Sequence, residues 1–299
     1  MTDRAERVLY HTVEPAVGSH AIPLHHGGRE RPYLLRVPAA PPAEPAPLLV
    51  ELHGRGIDPA MFDRWTGFST LADEAGVVLA LPSAVGETWN DGRFPRLVRD
   101  GPDDVGYLLA VIDDACARLP IDRRRIYVVG MSNGATMAAR LVCEHPERIA
   151  AFAQVAGTAA VDVAAGCRPA LPVPVLQVHG TGDRYAPYAG GRAHGLRARL
   201  VLRHPAGPCV GVDEWARRWV EVNRAQDVPD IETIPPDTTV RRWRGDSPAS
   251  DVVFYRVEGG GHTWPGNREW VPPFLGRRSH AFGATRVAWD FFATHARET

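Results

Sequence analysis

Three residues of this sequence have the types and surroundings for nucleophilic acyl transfer: Ser132, Asp183 and His262. Each follows an apolar run and a glycine-containing turn. Ser132 is the centre of Gly130-Met131-Ser132-Asn133-Gly134, after Ile126-Tyr127-Val128-Val129. Asp183 ends Gly180-Thr181-Gly182-Asp183, after Val173 to His179, and His262 follows Gly259-Gly260-Gly261, after Val252 to Val257. A serine hydroxyl is a weak nucleophile until a neutral imidazole takes its proton. The imidazole in turn needs a carboxylate to fix its tautomer and stabilise the imidazolium. Asp213 and Asp227 are rival acids, in less strand-like surroundings. His179 and His280 are rival bases, but His179 precedes the acid and His280 leads into a helix.

Acyl transfer also needs N–H donors converging on the developing oxyanion. The Asn133 amide comes with the serine turn. The second is expected from His53-Gly54-Arg55-Gly56, with the Arg55 amide the first choice and Gly56 the next. His53 is read as shaping that loop rather than carrying a proton. No cofactor or metal is called for. Cys116, Cys143, Cys167 and Cys209 lack C-x-x-C spacing, and His20, His25 and His26 have no carboxylate or cysteine at ligand spacing. Free thiols are the default expectation, with a Cys143–Cys167 bridge as the alternative.

The elements around these residues decide whether they can meet. Ala21 to Leu24 and Tyr33 to Val37 read as short strands, as does Val8-Leu9-Tyr10, and together they suggest an antiparallel edge. Pro38 to Pro47 is a Pro/Ala linker too short to divide domains. Leu48 to Leu52, Val77 to Leu81, Ile126 to Val129, Ile149 to Val155, Val173 to His179 and Val252 to Val257 read as buried strands. Between them lie helices near Ser69 to Glu74 (Ser69 as N-cap), Asp103-Asp104 through Ala117, Asn133 to about His145 and Val212 to Asn223, and Ala284 to about His295 closes the chain. Glu51 stands out as a carboxylate within a central strand, which requires a partner.

Strands alternate with helices without a repeat, so one doubly wound α/β domain over residues 1–299 is the economical reading, with 190–250 as a cap-like or irregular insertion. The three reactive residues fall beyond the C-terminal ends of three strands, where sites form in such sheets. Their order, nucleophile then acid then histidine, is that of the α/β-hydrolase fold, with a mostly parallel sheet and an antiparallel N-terminal edge.

The totals agree with a soluble globular chain: 299 residues, 44% hydrophobic, 23% charged, net charge -1. Neither nucleic acid nor an anionic membrane is an expected partner. The N-terminal residues lack the apolar core of a secretory signal, which gives a cytoplasmic expectation. Oligomeric state is not legible.

Taken in order, His53-Gly54, Trp89-Asn90-Asp91-Gly92-Arg93, Asp103-Asp104-Val105-Gly106, Gly130-Met131-Ser132-Asn133-Gly134, His179-Gly180-Thr181-Gly182-Asp183 with Pro187-Tyr188, and Gly259-Gly260-Gly261-His262-Thr263-Trp264-Pro265-Gly266 resemble the polyhydroxybutyrate depolymerase and feruloyl esterase group of α/β hydrolases. The resemblance covers roughly residues 30–295. It implies Ser132, Asp183 and His262 as the triad, and Trp89 and Trp264 as lining of the substrate cleft. The group often carries an Asn-Gly-Cys after the helix matching Val212–Asn223, and a second cysteine before the last strand. Here those places read Asn223-Arg224-Ala225 and Arg244-Gly245-Asp246, so no disulfide is expected there. The expectation is a cofactor-free serine carboxylesterase acting on a small soluble ester of hydroxyalkanoate, aryl or cinnamoyl type. An acyltransferase or cyclase using the same serine is the alternative, and a non-enzymatic scaffold the third reading.

Overall fold

The computed structural model describes residues 16–39, 45–194, 206–267 and 269–298. The expected Val8–Tyr10 strand and half of the Pro/Ala linker, residues 40–44, lie outside them. The strands are β1 (Gly18–Ile22), β2 (His25–His26), β3 (Arg29–Glu30), β4 (Tyr33–Val37), β5 (Ala46–Leu52), β6 (Val78–Pro82), β7 (Ile121–Met131), β8 (Ala151–Val155), β9 (Val175–Gly180), β10 (Asp230–Ile234), β11 (Thr238–Trp243) and β12 (Val252–Val257). The main helices are α1 (Pro59–Thr66), α2 (Phe68–Ala75), α3 (Pro95–Asp100), α4 (Asp104–Arg118), α5 (Asn133–Glu144) and α6 (Val161–Gly166), followed by Val212–Val222 and Ala284–Ala293.

Ten strands form one sheet in the order β1-β4-β6-β5-β7-β8-β9-β12-β11-β10. The six from β6 to β12 run parallel, and antiparallel pairs flank them on both sides. From β5 the chain steps to β6 on one side and returns through α4 to β7 on the other. That reversal opens a crevice beyond the carboxyl ends of β5 and β7, the usual ligand site of such sheets.

Alternation along the buried strands sends side chains to two faces. Leu48, Val50, Leu52 and Val128 pack with Leu108, Ile112, Met137 and Trp219 on one face. Leu49, Tyr127 and Val129 pack with Phe62, Phe68, Leu71 and Phe292 on the other. The fold is therefore helix–sheet–helix, and residues just past the strand ends escape both cores.

Several expectations are corrected. Ser69 does not cap α2: Gly67 does, at φ 75°, while the Ser69 amide and hydroxyl bond the Asp63 carboxylate at 2.8 and 2.6 Å. A carboxylate presented by the preceding helix has displaced the local cap. The described part of 190–250 is largely built into the sheet. It supplies a helix packed on the sheet through Trp215 and Trp219 and the β10–β11 hairpin, which continues the sheet. Cys143 and Cys167 are bridged rather than free, with Cα atoms 5.0 Å apart, tying the end of α5 to the end of α6. Closing a loop of 24 residues stabilises by about 3 kcal/mol in the chain-entropy picture. Cys116 and Cys209 remain thiols.

Candidate active site

The turn from β7 into α5 holds Ser132 at φ 58° and ψ -118°. A non-glycine residue in such backbone costs roughly 1–3 kcal/mol, sustained only where the surroundings over-determine it. They do so here. A Cβ on Gly134 would stand 2.1 Å from the Leu52 carbonyl oxygen, and one on Gly130 would stand 2.5 Å from the backbone of Gly134. The two glycines let β5, β7 and α5 meet so closely that the serine is pushed out at the apex. Its amide bonds the Val155 carbonyl at 2.9 Å, fixing the turn to β8.

Asp183 lies beyond β9 and is 3% exposed. Its Oδ1 accepts the amides of Tyr185 and Ala186 at 2.8 and 2.9 Å, and its Oδ2 accepts His262 Nδ1–H at 2.8 Å. Burial pushes this carboxyl up, but the His262 charge and hydrogen bond, with His179 and the Ala186 amide, outweigh it and hold it below its usual value. His262 follows β12, the parallel neighbour of β9. Its ring sits 5.3 Å from that of Tyr185, and its amide bonds the Leu275 carbonyl at 2.6 Å. The preceding glycines allow this approach: a Cβ on Gly261 would stand 2.3 Å from the Leu275 oxygen. With Nδ1–H directed at the acid, Nε2 is the basic atom of the ring.

Ser132 and His262 line one cleft of about 130 Å³, together with Gly54, Arg55, Asn133 and Tyr185. Trp65, Phe94 and Leu275 supply its apolar wall. A larger open groove of about 460 Å³ between α6 and the Val212–Val222 helix contains none of the three reactive residues.

Both expected oxyanion residues border this cleft. Asn133 opens α5, where the first N–H groups have no partner within the helix. Arg55 follows Gly54, and a Cβ on Gly54 would lie 3.6 Å from Ser132 Cβ. The Asn133 side chain is a strut: its Oδ1 accepts the Trp89 amide at 2.7 Å, and its Nδ2 donates to Asp91 Oδ2 at 2.5 Å. Asp91 also accepts Arg93 Nε and a terminal guanidinium nitrogen at 2.8 and 2.6 Å. His53 accepts the Ala84 amide on Nε2 at 3.1 Å and donates Nδ1–H to the Gly54 carbonyl at 2.8 Å. With both nitrogens engaged and burial lowering its pKa, it is a neutral brace for the Arg55 loop.

The chain matches the model of the family described as esterase PHB depolymerase over residues 31–189, more than half its length. It is 32% identical over 274 residues to a putative esterase, NocK, of Nocardia uniformis, spanning 88% of this chain and 79% of that one. The chain belongs to the esterase PHB depolymerase family. Feruloyl esterase B of Piromyces equi is 26% identical over 257 residues, 82% of this chain but only 41% of that protein. Among solved structures, an acetyl xylan esterase from Aspergillus awamori superposes with a TM-score of 0.57 at 17% identity, over 78% of this chain and 89% of that one. A thermostable esterase gives the same TM-score and identity over 93% of this chain and 63% of that one. These two likenesses concern the fold. Family membership makes the chain a carboxylic ester hydrolase.

The two tryptophans implied by the resemblance lie elsewhere in this family member. Trp89 is fully buried, its Nε1–H donating to the His53 carbonyl at 2.9 Å and its ring 5.0 Å from the His53 ring. Trp264 is packed edge-on between Phe62 and Phe68, with Nε1–H on Thr285 Oγ1 at 3.0 Å. Both support the loops that carry Arg55 and His262, and Trp65 and Phe94 face the cleft instead. The roles of Asp91, Tyr185 and His179 were missed. His179 donates Nε2–H to the Ala186 carbonyl at 2.8 Å and so braces the acid loop, and burial lowers its pKa. Only the density of polar residues in Trp89-Asn90-Asp91-Gly92-Arg93 hinted at the first. Among the described residues, no cluster of His, Cys, Asp and Glu is arranged to hold a metal, and no helix is long and apolar enough to cross a membrane.

Proposed function

We propose that this esterase works through an acyl-enzyme on Ser132, with His262 as base and Asp183 as its orienting acid. The observation that carries the reading is the 2.8 Å His262–Asp183 hydrogen bond beside a serine in a strained turn of the same cleft. His262 Nε2 takes the Ser132 proton as Oγ attacks the ester carbonyl, and the Asn133 and Arg55 amides receive the oxyanion. His262 then protonates the departing alcohol, activates water, and returns the proton to Ser132 as the acid is released. Asp183 stays ionised throughout, which its low pKa supports.

The apolar wall of Trp65, Phe94 and Leu275 beside Ser132 supports an ester with a compact apolar acyl group. A short hydroxyalkanoyl, aryl or cinnamoyl ester is of the right class. The Cys143–Cys167 bridge supports an oxidising compartment in place of the cytoplasmic location expected from the N-terminal residues. Ser132→Ala should lower hydrolysis of a p-nitrophenyl short-chain ester by at least about 10⁴-fold and abolish labelling by a fluorophosphonate, with an unchanged circular dichroism spectrum. Retention of most activity would exclude Ser132 as the nucleophile.

A further inference from the structure

The loop that follows β6 is joined to the serine turn through one buried ion pair. In Asp91-Gly92-Arg93, Gly92 takes φ 91°, a left-handed backbone that glycine adopts without strain. The chain folds back there, so that Asp91 Oδ1 accepts the Arg93 amide at 3.0 Å. Asp91 Oδ2 accepts two guanidinium N–H groups of the same residue at 2.8 and 2.6 Å. The side chains of Arg93 and Asp91 are 9% and 0% exposed. Burial works against the Arg93 charge, but the Asp91 carboxylate, with Cys209, outweighs it and raises the guanidinium pKa. The same Asp91 Oδ2 accepts Asn133 Nδ2–H at 2.5 Å. Trp89 engages the rest of that side chain, its amide donating to Oδ1 at 2.7 Å and its carbonyl accepting from Nδ2 at 3.2 Å. Arg93 also holds a second stretch that lines the cleft. Its carbonyl accepts the Gly207 amide at 2.7 Å, and its Nη1–H donates to Cys209 Sγ at 3.5 Å. Cys209 exchanges backbone hydrogen bonds of 2.8 and 3.0 Å with Gly191, just after the loop that begins at Asp183. Hydrogen bonds thus run from the serine turn, through Asp91 and Arg93, to the segment behind the acid.

We propose that Arg93 is a positioning residue for the oxyanion hole: it holds Asp91, Asp91 holds the Asn133 side chain, and the Asn133 amide thereby stays aimed at the developing oxyanion. The proposal rests on the serine-esterase reading of the same cleft. Arg93 acts here through Asp91 and not on the reacting atoms. A guanidinium suits the task, because two N–H groups in a rigid plane converge on one carboxylate oxygen and fix it in angle as well as in distance. Losing one oxyanion donor costs about 10²–10³-fold in rate, and a shift of about 1 Å caused from outside the chemistry can cost about 10²-fold. Trp89 keeps part of the hold on Asn133 when Arg93 is removed, so the expected loss is smaller than that of a deleted donor. The amide acts mainly once charge has developed on the substrate oxygen, so misaiming it lowers kcat and leaves KM nearly unchanged. A purely structural pair would instead lower the unfolding midpoint and leave the kinetics of the folded enzyme alone.

The test compares wild type, Arg93→Met and Arg93→Lys on p-nitrophenyl butyrate, each at a temperature well below its unfolding midpoint. Arg93→Met should lower kcat by at least about 10-fold, with KM within about 3-fold of wild type. Arg93→Lys keeps a charge beside Asp91 and should recover part of the loss. The second readout is inhibition by 1,1,1-trifluoro-2-pentanone. Ser132 Oγ would add to its carbonyl carbon, the carbonyl oxygen would take the negative charge, and His262 would take the serine proton. The inhibition constant should rise in Arg93→Met by the factor lost from kcat/KM, to within about 3-fold. A folded Arg93→Met with kcat within about 3-fold of wild type overturns the proposal, as does a loss of kcat with an unchanged inhibition constant. If Arg93→Met does not fold, Arg93→Lys decides: a kcat reduced by at least about 3-fold with a matching rise in the inhibition constant supports the proposal, and wild-type values overturn it. A wild-type enzyme that the ketone does not inhibit would instead remove the serine-esterase reading, and this proposal with it.

Discussion

Asp183 and Glu51 are both carboxyl groups sealed inside the same sheet architecture, 3% and 1% exposed, yet their pKa values move in opposite directions. Asp183 receives two backbone amides and the His262 imidazole, and its pKa falls below the usual value. Among the described residues Glu51 has only Thr66: its Oε1 lies 2.5 Å from the hydroxyl, and its Oε2 has no partner there. Burial, reinforced by Asp63, raises its pKa well above the ordinary 4.5. The Thr66 hydroxyl also lies 3.2 Å from the Asp63 carbonyl. One hydroxyl proton cannot serve both contacts, but a protonated Glu51 can donate to Thr66 Oγ1 while Thr66 donates to Asp63. Burial alone therefore does not set a carboxyl's charge. The number and charge of the donors aimed at it do, and here they press the two carboxyls in opposite directions.

The contrast is tested most strongly at Asp183. Asp183→Asn should lower kcat on a p-nitrophenyl ester by about 10⁴-fold, because the amide permits the wrong imidazole tautomer. A loss under 10-fold would show that Asp183 is not the orienting acid. Asp91, a third buried carboxylate, is held by nitrogen donors as Asp183 is, in its case by the Arg93 guanidinium and the Asn133 amide. Asp91→Ala should destabilise by about 3–5 kcal/mol, because Arg93 would keep a buried charge without its counter-ion, and urea titration would measure it. The loss at Thr66→Val should be smaller, about 1–3 kcal/mol from an unsatisfied buried acid, with ester kinetics little changed.

Glu51→Gln should have the smallest effect at acidic pH and reveal itself through pH. A carboxyl whose folded pKa is raised contributes stability that is complete below the unfolded value near 4.5 and declines as pH rises toward the folded value. Asp183 has the opposite sign, its contribution being lost as pH falls through its depressed folded pKa. Denaturant midpoints of Glu51→Gln should therefore fall less steeply than wild type between about pH 5 and 8, while the acid-side loss remains. Parallel wild-type and variant curves would show that Glu51 is already ionised.

Much of this was written locally. The runs at Leu48–Leu52, Ile126–Val129 and Val252–Val257 announce buried strands through composition, and the turns after them announce reactive residues through their glycines. Family resemblance then gathered the same residues into one chain order. The sequence identified Glu51 as anomalous but could not name Thr66, because α1 meets β5 only through packing. Trp89 and Trp264 stand within motifs and so read as cleft residues, yet each indole found a buried acceptor and an aromatic or imidazole neighbour. The β10–β11 hairpin looked irregular because its β10 strand at the sheet edge is mostly exposed and lacks an apolar pattern.

By itself, then, the sequence determined what is encoded over a few residues: strand and helix periods, turn glycines, and the types and order of Ser132, Asp183 and His262. Tertiary structure alone decided which groups face one another. It joined Cys143 to Cys167, gave Asn133 its strut through Asp91, and brought Arg55 and Arg93 to one ring. Those contacts depend on where the sheet and its helices bring distant segments together, and no local periodicity carries that information.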